Sequence, residues 1–337
     1  MIKRIFKWLG VLLLVLTIVY LLGPTPPSPV LDTTLPQVTN NLAQLEQEVI
    51  AKEKKVKDLR PDNEARIVWA DSTKKQKTPY ALVYLHGFSA TWAEGEPVHR
   101  NFARRYGCNM YLARLARHGI GNQEAFENLT VDQLLASAKE AVAIAQQLGE
   151  RVIIMATSTG ATLGLYLAAQ HPELAGIILY SPLIDFYSPA LYLLNKPWGL
   201  QVARLVFDSK YYDFTGESSP KKQQYWTTRY RFEGTVALKS LVANTMGNAL
   251  FAKIKQPLFL GYYYKDEAHQ DKVVSVKAMK QMYTQLGTPP SQKRQVAFPK
   301  AGSHVIASYI TSKNYQRVAQ KTFEFAEEVL KLKPVEK

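Results

Sequence analysis

Cysteine is nearly absent: Cys108 is the only one in 337 residues. That excludes an intrachain disulfide and any metal site built on several thiolates. Its setting, Cys108-Asn109-Met110-Tyr111-Leu112-Ala113, is that of a small buried hydrophobe. Acids are also under-represented, with 28 Asp and Glu against 42 Lys and Arg, a formal charge of +14. The bases are nevertheless scattered, as at Lys74-Lys75 and Lys221-Lys222. With no basic stripe interleaved with aromatics, a nucleic-acid partner has no support. Most of these charges read as solvated surface, with attraction to anionic head groups or substrates as their further use. No internal repeat occurs. Long apolar runs are missing too, except at the N-terminus.

There, Lys3, Arg4 and Lys7 precede an apolar run from Trp8 to Leu22. This is near the minimum for crossing a bilayer, which takes roughly 17–25 residues. The following residues, Gly23-Pro24-Thr25-Pro26-Pro27, offer no small-x-small cleavage site and no cysteine for lipid attachment. Residues 1–23 are therefore expected to be an uncleaved signal anchor, with a cleaved signal peptide as the rival. The basic flank puts the N-terminus in the cytoplasm and the rest of the chain on the extracytoplasmic side. Gly23 to Gln37 reads as a stiff proline-rich spacer. Leu42, Leu45, Val49, Val56 and Leu59 then trace an amphipathic helix closed by Pro61. Spacer and helix together occupy 24–64.

From Ala65 onward, strand and helix patterns alternate, and 47% hydrophobic content suits a sizeable core. Strands are expected at 66–70, 80–85, 109–115, 151–157 and 174–180. Helices are expected at 98–106 and from a Thr130 cap to Leu148, with Gly149 as the stop. Nearly continuous apolar strands between helices predict an α/β fold, a mostly parallel sheet covered on both faces. The active residues of such sheets sit at the carboxyl ends of strands. Between about Leu183 and Lys255 the alternation stops, and twelve aromatic residues from Phe186 to Phe232 crowd the stretch.

The chemistry centres on Ala156-Thr157-Ser158-Thr159-Gly160, between an apolar strand and a helix of small residues. A strand–Ser–helix turn with small neighbours holds a hydroxyl clear of the backbone. One position departs from Gly-x-Ser-x-Gly: Ala156 stands at the first glycine. Downstream, the apolar run Leu258–Lys265 leads to Asp266, and Val296–Ser303 leads to His304, with Val305-Ile306 reading as the start of the final helix. Upstream, Tyr80–Leu85 runs into His86-Gly87-Phe88-Ser89. The order nucleophile, acid, histidine is that of the α/β-hydrolases, unlike chymotrypsin or subtilisin.

From about Ile67 to the C-terminus the chain thus resembles an α/β-hydrolase, most similar to serine esterases of the monoacylglycerol lipase and carboxylesterase type. The resemblance implies an oxyanion hole from the backbone N–H groups of Phe88 and Thr159. It also implies a cap inserted at about 183–255 within a hydrolase domain spanning 65–337, with some cap aromatics lining an acyl pocket. Arg117-His118-Gly119 resembles the Gly-His-Gly loop bordering the cleft in lipase-like members, with His118 expected to be structural.

The expected catalytic set is Ser158, His304 and Asp266. Asp271 is the alternative acid and Asp185 a third. No cofactor and no metal is implied. The expected function is a membrane-anchored serine hydrolase acting on small amphipathic carboxylic esters such as acylglycerols or lysophospholipids. A serine peptidase or acyltransferase on the same fold, or a non-catalytic tethered binding protein, are the alternatives. Oligomeric state is not legible.

Overall fold

The computed structural model describes residues 2–335. A seven-stranded sheet organises the chain, in the order β1 (Arg66–Val68), β3 (Asn109–Leu112), β2 (Thr78–Leu85), β4 (Gly149–Thr157), β5 (Gly176–Tyr180), β8 (Leu258–Tyr262) and β9 (Lys293–Ala297). Every pairing is parallel except β1 with β3. The central strands are apolar on both faces because helices cover both. On one face lie α2 (Leu42–Lys54), α4 (Val131–Leu148), α5 (Ser158–Ala168), α8 (Phe232–Thr245) and α10 (Val276–Gln285). On the other lie α3 (Val98–Tyr106) and α11 (Tyr315–Glu328).

Where the sequence carries clear caps, the helices begin as expected. Thr130 accepts from Gln133 N–H while the Gln133 side chain accepts from Thr130 N–H, a reciprocal cap that starts α4. Gly149 does not form a left-handed stop. It is extended, and β4 starts at that residue.

Two expectations fail. The amphipathic helix ends at Lys54, not at Pro61, so Val56 and Leu59 lie beyond it. Its last buried residue, Glu53, forms a two-pronged ion pair with Arg114 at 2.6 and 3.0 Å and accepts the Ala65 N–H. These contacts turn the chain toward β1 before another helical turn can form. The final helix also does not start at Val305. Residues 305–314 form a loop and α11 starts at Tyr315. Hydroxyls divert the backbone there: Ser308 donates to Ala93 O, Thr311 to Val305 O and Ser312 to Ala301 O.

The N-terminal helix α1 (Ile2–Leu21) is long and apolar enough to cross a membrane, and none of its residues is buried. The segment after it has no regular structure but is fastened to the body. Tyr166 donates to Leu31 O, Val30 N–H donates to Asp132, and Lys139 pairs with Asp32 at 2.5 Å.

Between β5 and β8 the chain leaves the sheet. This insertion holds α6 (Gly199–Val206), a two-stranded ribbon of β6 (Tyr211–Asp213) and β7 (Arg229–Arg231), α7 (Pro220–Tyr225), α8 and α9 (Asn248–Phe251). It returns over the carboxyl ends of the strands: Thr227 N–H donates to Ser89 O at 2.7 Å.

Candidate active site

Ser158 stands where β4 becomes α5, with φ 51°, a left-handed conformation that few non-glycine residues adopt. Neighbouring residues enforce it. A Cβ on Gly160 would lie 2.1 Å from Leu85 O, so only glycine lets α5 pass this close to β2. At the first motif position the Ala156 methyl is accommodated without crowding on the side of α5. Even a Cβ built on Gly164 would remain 3.9 Å from the Ala156 methyl, an ordinary contact.

Asp271 carries out the contact expected of Asp266. His304 Nδ1 lies 2.6 Å from Asp271 Oδ2, and Asp271 is fully buried. Asp271 Oδ1 accepts the N–H groups of Val273 and Val274 at 2.9 and 3.1 Å. The expected pairing of Asp266 with His304 is therefore corrected. β8 ends at Tyr262, and the chain folds out and back, with Tyr264 bridging to Gln270. Asp266 sits at the tip of this excursion, half exposed, and accepts from His269. Asp271 lies where the chain returns, its N–H donating to Tyr263 O. Asp185 faces elsewhere, paired with Lys239 at 2.9 Å.

Among the described residues, no direct hydrogen bond joins the Ser158 hydroxyl to the imidazole, a bond often long before substrate binds. The turn after β5 holds both residues. Leu183 N–H donates to Ser158 O at 3.1 Å, and the Ser181 hydroxyl donates to His304 O at 2.7 Å.

On the other side, Gly87 packs so tightly that a Cβ there would be 3.0 Å from Ser158 Cβ and 2.8 Å from Glu94 Oε1. Gly87 N–H donates to Glu94. No sequence motif marks Glu94, yet its side chain is buried against Gly87 and within electrostatic reach of His304. Its signal is faint: an acid between Ala93 and Gly95, in a stretch without periodicity.

These charges set the acidities. Burial raises the Glu94 carboxyl to about 7, against the Gly87 N–H and the His304 charge, which favour ionisation. Burial disfavours the His304 cation, but the Asp271 charge and hydrogen bond, with Glu94, outweigh it and raise the imidazole. His86 is pushed down to about 4, chiefly by burial. It is structural: Nδ1 bonds Gly87 O and Nε2 accepts from Leu115 N–H, tying the loop after β2 to that after β3. His118 bonds Ala116 O through Nδ1 and stacks against Phe88 and Phe126. Cys108 is buried and its thiol is pushed up to about 12.

Thr159 is the second residue of α5, where helical N–H groups lack intrahelical partners. Thr159 thus follows Ser158 directly, and Phe88 follows Gly87, the glycine packed against it. No group of three or more His, Cys, Asp or Glu side chains able to hold a metal occurs among the described residues.

The sequence pattern of the alpha/beta hydrolase family matches residues 82–320. The chain belongs to this family. Over 107 residues it is 31% identical to the thermostable monoacylglycerol lipase of Bacillus sp. (strain H-257), covering 32% of this chain and 42% of that protein. The match thus spans less than half the length of that relative. One of two metagenome-derived lipolytic enzymes, LipS and LipT, shares the fold with a TM-score of 0.60 at 18% identity, over 79% of this chain and 98% of the other. The monoacylglycerol lipase of Paleococcus ferrophilus does so with a TM-score of 0.55 at 14% identity, over 78% and 98%.

In this alpha/beta hydrolase the aromatic residues of the insertion meet the site at two places: Trp226 packs with Ala90 and with Val305, next to His304, and Tyr230 meets Phe88. Tyr230 packs edge-on against Phe88, 5.0 Å between centroids, and against Phe126. Behind it Tyr212, Phe214, Phe232 and Phe207 continue the cluster away from Ser158. Tyr230 and Phe232 are buried within the insertion, whereas Tyr212 and Phe207 remain exposed.

Proposed function

We propose that the chain is a membrane-anchored serine hydrolase that cleaves carboxylic esters through an acyl-enzyme. The observation that carries this reading is the Asp271–His304 hydrogen bond beside a serine held in a left-handed turn. Asp271 occupies Nδ1, which leaves Nε2 as the nitrogen to take the proton of Ser158 during attack on the ester carbonyl. The resulting imidazolium is stabilised by Asp271 and then gives that proton to the departing alkoxide. Water, deprotonated by the same nitrogen, releases the acid and restores Ser158. The oxyanion of each tetrahedral intermediate faces the N–H groups of Phe88 and Thr159.

Small amphipathic esters, acylglycerols or lysophospholipids, are the proposed substrates. The partial likeness to a bacterial monoacylglycerol lipase and the apolar α1 support that choice. We read residues 1–23 as the anchor, with the hydrolase domain on the extracytoplasmic side and the insertion at about 183–255 as a cap.

The test is labelling of the full chain with a fluorophosphonate, followed by peptide mapping. A single adduct on Ser158, lost in Ser158→Ala together with hydrolysis of short aryl esters, is expected. An adduct on Ser89 or Ser181, or none, rejects the mechanism.

A further inference from the structure

The anchor and the cap touch. Trp198, just before α6, donates its indole N–H to Val19 O at 2.9 Å and its backbone N–H to Pro24 O at 3.1 Å. Gly23 makes room, since a Cβ there would lie 2.1 Å from the indole nitrogen. Val19 lies among the last four residues of α1, whose carbonyls have no intrahelical partner, so Trp198 caps that end. The Lys196 ammonium sits 4.5 Å from the Tyr192 ring at the same junction.

These contacts fix a depth. Twenty residues of α1 span about 30 Å, the thickness of the hydrocarbon core, with the Lys3, Arg4 and Lys7 side chains reaching back to the inner head groups. Val19 is therefore at the level where hydrocarbon gives way to head groups, the zone that Trp and Tyr favour. Trp198 must sit at that level too, and α6 extends only about 12 Å from it.

The exposed residues of this short helix are apolar apart from Gln201. Leu205 is 81% exposed, Val206 72% and Phe207 54%, with Val202 and Leu193 also exposed. A contiguous apolar face of this kind marks an interaction surface. The one environment it shares with α1, continuous with the Trp198 contact, is the bilayer.

We propose that the outward face of α6, with Leu193 and Phe207, lies in the head-group region of the membrane that α1 crosses, and that Trp198 pins it there. The proposal rests on the membrane reading of α1. It makes the cap a second membrane contact, so that the hydrolase domain has one orientation over the lipid rather than swinging on a free spacer.

The test uses the full chain in vesicles of phosphatidylcholine and phosphatidylglycerol. Cys108 is buried, so Leu205→Cys provides one accessible thiol for an environment-sensitive fluorophore. Lys74→Cys is the control. It lies before β2, at the end of the sheet opposite the carboxyl ends of the strands, and is exposed. Shallow spin-labelled lipids should quench the probe at 205 severalfold more than that at 74, with aqueous iodide showing the reverse order. Equal behaviour at both positions in a chain that floats with the vesicles overturns this proposal alone. A probe at 205 shielded from iodide but untouched by lipid quenchers also overturns it, and indicates a second copy or another protein on that face. A chain that does not float overturns the anchor as well.

Discussion

Asp271 and His304 are 33 positions apart in the chain and 2.6 Å apart in space, joined by a carboxylate whose other oxygen is held by two backbone N–H groups. The carboxylate is thus fixed before it orients the imidazole.

Asp271→Asn should therefore lower the turnover number by several orders of magnitude, on the order of the ~10⁴-fold loss for a mis-set histidine tautomer in the serine-protease template. An Asn carbonyl can still accept the Val273 and Val274 N–H groups, so the fold should survive. Asp266→Asn should change turnover less than about twofold, because a screened carboxylate at a loop tip couples weakly to a distant imidazole. Steady-state ester hydrolysis by both variants, with circular dichroism as the folding control, checks the ranking. The opposite ranking rejects the role given to Asp271.

This acid also shows where the sequence stops being legible. The strands were readable because apolar runs such as Val152–Met155 leave little choice but a buried parallel sheet. The serine turn was readable because small residues must surround it. Adjacency to β8 favoured Asp266, but a bridge between Tyr264 and Gln270 returns the chain and delivers the carboxylate five residues later. Such a pairing has no local periodicity to betray it. Val305 and Ile306 misled in the same way, being buried apolar residues in a loop that hydroxyl groups stabilise. Glu94 was hidden because its environment is assembled from β2, Gly87 and His304, and so exists only in three dimensions.

Glu94 should contribute to the pH profile, behind Asp271. In the proposed mechanism the neutral imidazole is the base, so activity should fall as His304 becomes protonated, at a pH above its ordinary midpoint because Asp271 and Glu94 favour the cation. Glu94 itself titrates at about 7, so the two groups share the acid limb as a coupled pair. Glu94→Gln retains an acceptor for Gly87 N–H but removes the negative charge. The acid limb of kcat/KM should then move to lower pH and follow a single titration. A limb that stays in place, or moves upward, shows that the carboxylate does not act on His304.

The ion pair between Glu53 and Arg114 should be a principal tie between α2 and the sheet. Both side chains are nearly buried, and removing one partner strands the other charge. Glu53→Ala should destabilise the protein by about 3–5 kcal/mol, measured by urea unfolding of the full chain. A loss below about 1 kcal/mol would make α2 a peripheral attachment.

The packing around Ser158 has a consequence for how such chains are found. Of the two motif glycines, the packing demands only the second, because Gly160 meets the backbone of β2 while the Ala156 methyl would be in ordinary contact even with a side chain at 164. A search that insists on glycine two places before the serine passes over every chain that, like this one, carries a methyl there. The criterion that follows from the contacts is a narrower one: a glycine two places after the serine, where any Cβ would strike the backbone of β2.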